Sequence, residues 1–103
     1  MEKIVVSKHP AMVKYLLEMG LIDSTTKAVW HIEPAEIKGK HVFGVLPIYM
    51  AHHAEMVTDI PLPLPSHKRG EVLSLEEIRA YAKKPRTYIV RTIEEENELR
   101  KGK

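Results

Sequence analysis

Ser7-Lys8-His9-Pro10 places a hydroxyl, an ammonium and an imidazole on consecutive residues, directly after an apolar run. That trio suits the handling of phosphate. Ser7 can donate from its hydroxyl, Lys8 supplies charge, and His9 can move a proton near neutral pH. Pro10 opens the helix that follows, where its fixed φ is an advantage and its missing N–H needs no acceptor. The amides of Ala11 and Met12 are then expected to face whatever lies above the strand end, where a helix N-terminus favours an anion. The plain alternative is that Ser7 or His9 merely caps the helix.

Ser66-His67-Lys68-Arg69-Gly70 is the one dense basic cluster in the chain. As chemistry it is a second phosphate clamp, with Arg69 in bidentate contact and His67 and Lys68 beside it. As plain surface it is a solvated loop. His52-His53 invites a metal, but neighbours on a helix diverge by about 100°. No H-E-x-x-H or H-x-E…C-x-x-C pattern supplies further ligands, so no metal is expected. His52 is placed among the ligand-facing residues and His53 on the helix surface. Trp30 reads as core rather than as a platform for a base, and nothing local decides His31. No Gly-rich loop of the Walker or dinucleotide type is present, so no cofactor is expected.

These groups need elements to position them. Lys3–Ser7 reads as a buried strand and Pro10–Met19 as a helix stopped by Gly20. Asp23-Ser24-Thr25 is a turn, Ala28–Ile32 a second strand, and Pro34–Lys40 a short connector closed by Gly39. His41–Leu46 is a third strand ending at Pro47, and Ile48–Glu55 looks helical. Val57–Leu64 is a fourth strand whose second half, with Pro61 and Pro63 and then Pro65, must leave the sheet or lie at its edge. Ser74-Leu75-Glu76-Glu77 is a capping box for a helix running to Lys83-Lys84-Pro85. Thr87–Arg91 is a last strand, with Tyr88 spaced to pack against Tyr81.

Strands alternating with helices argue for an α/β fold with a mainly parallel sheet flanked by helices. Ligands of such sheets bind beyond the carboxyl ends of the strands. Ser7–Pro10, Leu46-Pro47 and Pro65–Gly70 each follow a strand, so they are expected on one rim, with Leu46 and Pro47 as part of the ligand wall. One domain over residues 1–92 is expected, with 93–103 a charged, disordered tail.

Composition narrows the rest. A chain of 103 residues supports one modest core. Sixteen Lys and Arg against 14 Asp and Glu leave a net charge of only +2, so this is no polybasic coat and no stable duplex DNA binding is expected. Having no Cys excludes thiolate catalysis and fits a reducing cytoplasm. No apolar run approaches the roughly 20 residues of a membrane span, and the start lacks the pattern of a signal peptide.

Taken in order, the segments resemble a small CRISPR-associated family from type III systems. That family has a strand leading into a Ser/Arg-His-Pro turn, matched by Ser7-Lys8-His9-Pro10. A middle G-x-L-P is matched by Gly44-Val45-Leu46-Pro47, with Ala51 following. An L-x-L-P…R-G-x-x-L-S segment is matched by Leu62-Pro63-Leu64-Pro65, Arg69-Gly70 and Leu73-Ser74, before the acidic Glu76-Glu77 and the closing Tyr88-Ile89-Val90. The likeness runs from about Ile4 to Arg91. It departs at Ala11, where many relatives have Gly, and at Lys8, where Arg is common.

The resemblance implies a fold like the CRISPR-associated Rossmann domain, a homodimer, and breakdown of cyclic oligoadenylate, chiefly the four-membered ring. Such ring nucleases switch off the antiviral response. Cutting needs no metal if the ribose 2′-OH attacks the adjacent phosphorus. The products are linear adenylates with 2′,3′-cyclic phosphate ends. His9 is expected as general acid or base, Lys8 and Arg69 as charge stabilisers, and Ser7 with the helix amides as the phosphate holder. The rivals are a module that sequesters the messenger uncut and a structural CRISPR-associated interaction protein.

Overall fold

The computed structural model describes residues 1–102. Five strands, β1 (Lys3–Val6), β2 (Lys27–Val29), β3 (His41–Gly44), β4 (Met56–Asp59) and β5 (Arg86–Tyr88), form one sheet in the order β2-β1-β3-β4-β5. β1 pairs in parallel with β2 and β3, and β3 with β4, whereas β5 runs antiparallel to β4. The sheet is therefore mixed and mostly parallel, flanked by helices, as alternating strands and helices require.

Helices α1 (Pro10–Glu18), α2 (Pro34–Ile37), α3 (Ile48–Ala51) and α4 (Leu75–Tyr81) cover both faces. On one face Val5 and Phe43 pack with Met12, Tyr15 and Leu16 of α1 and Ile78 of α4. On the other, Ile4, Val6, Val42 and Val57 pack with Ile37 of α2 and Met50 and Ala51 of α3. The central strands thus read as near-continuous apolar runs because both faces are covered. Each fully buried Phe or Ile here contributes about 1.5–3 kcal/mol. Arg79 of α4 reaches across to Glu18 of α1 with two hydrogen bonds, at 2.8 and 2.6 Å.

Several elements differ from their sequence outlines. β2 ends at Val29, one residue short of Trp30, which is 66% exposed and not core. As the edge strand, β2 has only β1 to pair with, and past Val29 nothing holds Trp30 inward. β4 stops at Asp59, where the chain enters the proline-rich stretch that cannot donate to a ladder. The expected helix over Ile48–Glu55 continues past Ala51 only as tight turns, with His53 N–H bonded to Met50 C=O and Ala54 N–H to Ala51 C=O. Tyr88 lies on a wholly exposed strand and is itself 47% exposed.

The tail departs most from expectation. Ile93–Lys101 is a helix, α5, not a disordered segment. Thr92 and Glu95 form a reciprocal capping box, Glu94, Glu95 and Glu96 fill the first turn, and Arg100 and Lys101 the last. That polarity matches the helix dipole at both ends. Lys103, the last residue of the expected tail, lies outside the described residues. Among those residues, no helix is long and apolar enough to cross a membrane.

Candidate functional site

In the order β2-β1-β3-β4-β5 the connections reverse direction between β1 and β3, which is where doubly wound sheets form their crevice. A cavity of about 350 Å³ opens there, lined by Val6, Ser7, Lys8 and His9 after β1, by Gly44 and Val45 at the end of β3, and by Asp59 and Ile60 at the end of β4. Gly44 makes the close approach possible. Its φ is +141°, and a β-carbon there would collide with the carbonyl oxygen of Val6. Only glycine satisfies both the backbone angle and the space.

The turn after β1 is tightly organised. Ser7 N–H donates to Val29 C=O at 2.9 Å, which ties the turn to the edge strand. Ser7 Oγ accepts from His9 N–H at 3.1 Å. His9 occupies the helix N-cap position without a side-chain cap bond. Its imidazole faces elsewhere: Nδ1 accepts from Leu73 N–H at 3.3 Å. A backbone amide can only donate, so Nδ1 is unprotonated and the neutral ring carries its proton on Nε2. Burial, and then the Lys8 ammonium, hold the His9 pKa below its ordinary value. All of these favour a neutral imidazole with one N–H to offer.

The remaining expected site residues divide. Met12 lines the cavity through its buried side chain, but its N–H bonds to His9 C=O at 2.9 Å and is not turned to a ligand. Pro10 and Ala11 are not part of the lining, so the expected cradle of first-turn amides is not formed. Leu46 and Pro47 line an adjoining cavity, which shares Val6, Trp30 and Val45 with the first. His52 lies in a separate groove against α5, its Nδ1 3.2 Å from Glu95 Oε1.

The basic cluster is outside the cavity. His67 and Arg69 are exposed, and Lys68 Nζ is bound to Glu77 Oε2 at 2.6 Å. That hydrogen bond raises the Lys68 pKa and, as the largest cause, holds the Glu77 carboxyl down to about 2. The loop is pinned to the start of α4, and none of His67, Lys68 and Arg69 is part of the cavity lining. It still serves the site indirectly, because the chain leaving it supplies Leu73 to His9.

Two lining residues stand where the sequence did not place them, Asp59, which it left out of the site, and Trp30, which it read as core. Asp59 sits where β4 meets the prolines, a position that the rim argument could have singled out. Trp30 borders both cavities, and its indole lies 4.4 Å, ring centre to ring centre, from the His31 imidazole. Among the described residues, no three or more His, Asp or Glu side chains gather as a metal site.

Fold and site together define a small doubly wound α/β domain whose topological switch point holds a largely apolar cavity with Ser7, Lys8, His9 and Asp59 on its walls. Residues 4–91 match the family described as "Putative CRISPR-associated protein (Cas_VVA1548)", and the chain belongs to that family. No curated protein and no solved structure matches it.

Proposed function

We propose that this chain is a ring nuclease of a type III CRISPR system that degrades cyclic oligoadenylate, chiefly cyclic tetra-adenylate, and so ends the antiviral signal. The observation that carries this reading is the meeting of Ser7, Lys8 and His9 on one wall of the switch-point cavity. Membership of a CRISPR-associated family supports it, as does the ordered series of motifs.

The chemistry needs no metal. The ribose 2′-oxygen forms a bond to phosphorus, the bond to the 5′-oxygen breaks, and the 2′-OH proton is ultimately replaced on the departing 5′-oxygen. Asp59, a carboxylate on the β4 side of the same cavity, takes the 2′-OH proton. His9 donates a hydrogen bond from Nε2 to a non-bridging oxygen, so the role of general acid or base passes from it to its neighbours. Lys8 stabilises the phosphorane charge and protonates the leaving oxygen. Ser7 orients the phosphate. A two-fold homodimer in the cytoplasm completes the proposal, since a symmetric ring presents opposite phosphates to two identical sites.

The test is turnover of labelled cyclic tetra-adenylate in the presence of EDTA, followed by chromatography. Linear adenylates with 2′,3′-cyclic phosphate ends are expected. An intact ring that nevertheless binds would assign the chain to sequestration. That second reading draws on one observation, that Arg69 is not part of the cavity lining, which leaves Lys8 as its cation. Absence of any binding would point to a structural role.

A further inference from the structure

Trp30 is the single tryptophan of the chain, and it stands 66% exposed at the rim. Val45 and Tyr49, which line the same cavity as Trp30, are also largely exposed, and apolar surface grouped in this way marks a binding site. Trp30, Val45 and Val6 form the wall shared by two adjoining cavities. On one side are Ser7, Lys8 and His9. On the other are His31, Pro34, Pro47 and Tyr49, a lining rich in flat and apolar groups. A hollow that carries Ser7, Lys8 and His9 on one wall, next to one bordered by Tyr49 and prolines, with a single indole between them, matches the two halves of a nucleotide.

We infer that Trp30 is a stacking platform for a nucleobase, seating the base of the nucleotide whose phosphate lies against Ser7, Lys8 and His9. This rests on the phosphate reading of the first cavity. The occupant is a nucleobase, because the second hollow shares Val6, Trp30 and Val45 with the cavity that holds Ser7, Lys8 and His9, and it offers an aromatic face with few charges. Stacking on an indole is tolerant of base identity, so Trp30 contributes affinity and register, and the discrimination of adenine falls to other groups.

The sole tryptophan makes the test direct. The intact protein is titrated with cyclic tetra-adenylate while its intrinsic fluorescence is followed, and in parallel with ribose 5-phosphate, which carries no base. Saturable quenching by the adenylate and none by ribose 5-phosphate is expected. By calorimetry, Trp30→Ala should weaken adenylate binding about tenfold or more and leave ribose 5-phosphate unchanged, with Trp30→Phe recovering most of the loss. Circular dichroism should show both variants folded, since the residue is exposed. Equal adenylate affinity in wild type and Trp30→Ala would overturn the platform while leaving the phosphate site standing. Binding of neither probe would overturn both. Emission that shifts with protein concentration and not with ligand would overturn it by giving this face to a second copy of the chain.

Discussion

Leu73 N–H donates to His9 Nδ1 across 64 residues of sequence, at 3.3 Å. The bond joins the segment that follows the basic loop to the turn that follows β1. It settles which nitrogen of the imidazole faces outward with a proton. A protonated His9 would have to surrender this bond, because both of its nitrogens would then be donors.

His9 should therefore act as a neutral hydrogen-bond donor. His9→Ala is expected to slow cleavage of cyclic tetra-adenylate by about 10²–10³, the usual loss when one such donor is removed, with a smaller effect on binding. Nitrogen NMR of the histidine ring should show the proton on Nε2 at neutral pH. Turnover equal to wild type in the variant, or a proton found on Nδ1, would remove His9 from this role.

Acid should destabilise the fold in a definite window. His9 and His41 both have pKa values lowered from 6.5, each by burial first and then by a neighbouring lysine, Lys8 and Lys3 respectively. Below 6.5 the unfolded chain takes up protons that the folded one resists, so stability is full above that pH and falls as the pH drops toward the lowered values. His41 also heads a chain of contacts, with Nε2 2.6 Å from Thr58 Oγ1 and Thr58 Oγ1 2.7 Å from Thr87 Oγ1. Melting temperature should decline between about pH 7 and pH 5, and the decline should flatten in a His9→Gln/His41→Gln double variant. A melting temperature that holds or rises on acidification would contradict this.

Gly44 should not tolerate a side chain. Gly44→Ala combines an unfavourable φ of +141° with a collision against the Val6 carbonyl. Strain of this kind costs about 1–3 kcal/mol, and the collision adds to it. Urea unfolding should show a loss of at least that size, and the cavity mouth should deform with it. A variant as stable as wild type would mean that β1 and β3 do not approach as described.

What the sequence made legible follows from where local chemistry decides. Strand β1, Pro10 at the start of α1 and the Ser74–Glu77 capping box all formed as read, because apolar runs, proline and reciprocal caps act over a few residues. Ser7–His9 and Leu46-Pro47 do border adjoining cavities, since parallel strands must deliver their following loops to one edge, but the third expected rim segment, Pro65–Gly70, lines neither. What else sits on that rim was not legible. Trp30 looks like core by composition, and only the end of β2 at Val29 exposes it. Arg69 looks like a clamp by charge, and only the Lys68–Glu77 pairing shows the loop held against α4. The expected disordered tail failed for a related reason. Its many charges argue for disorder when counted, but placed acidic-first and basic-last after a Thr92 cap they stabilise a helix.

The two lysines near the proposed phosphate paths should behave oppositely. Lys8 lines the cavity and is exposed, whereas the Lys68 ammonium is bound to Glu77 at 2.6 Å. A hydrogen bond from a cation to an anion contributes about 1.5–3 kcal/mol, so Lys8→Ala should weaken cyclic tetra-adenylate binding by about tenfold or more and flatten its dependence on salt. Lys68→Ala and Arg69→Ala should leave that affinity within about twofold of wild type, because neither side chain reaches the cavity wall. Lys68→Ala should instead free the Glu77 carboxyl, whose pKa should climb from about 2 toward its ordinary 4.5, a shift visible by carboxyl-carbon NMR. If Arg69→Ala abolished binding while Lys8→Ala did not, the basic loop would have to close over the strand ends when ligand arrives. The phosphate would then belong to that loop and not to the turn after β1.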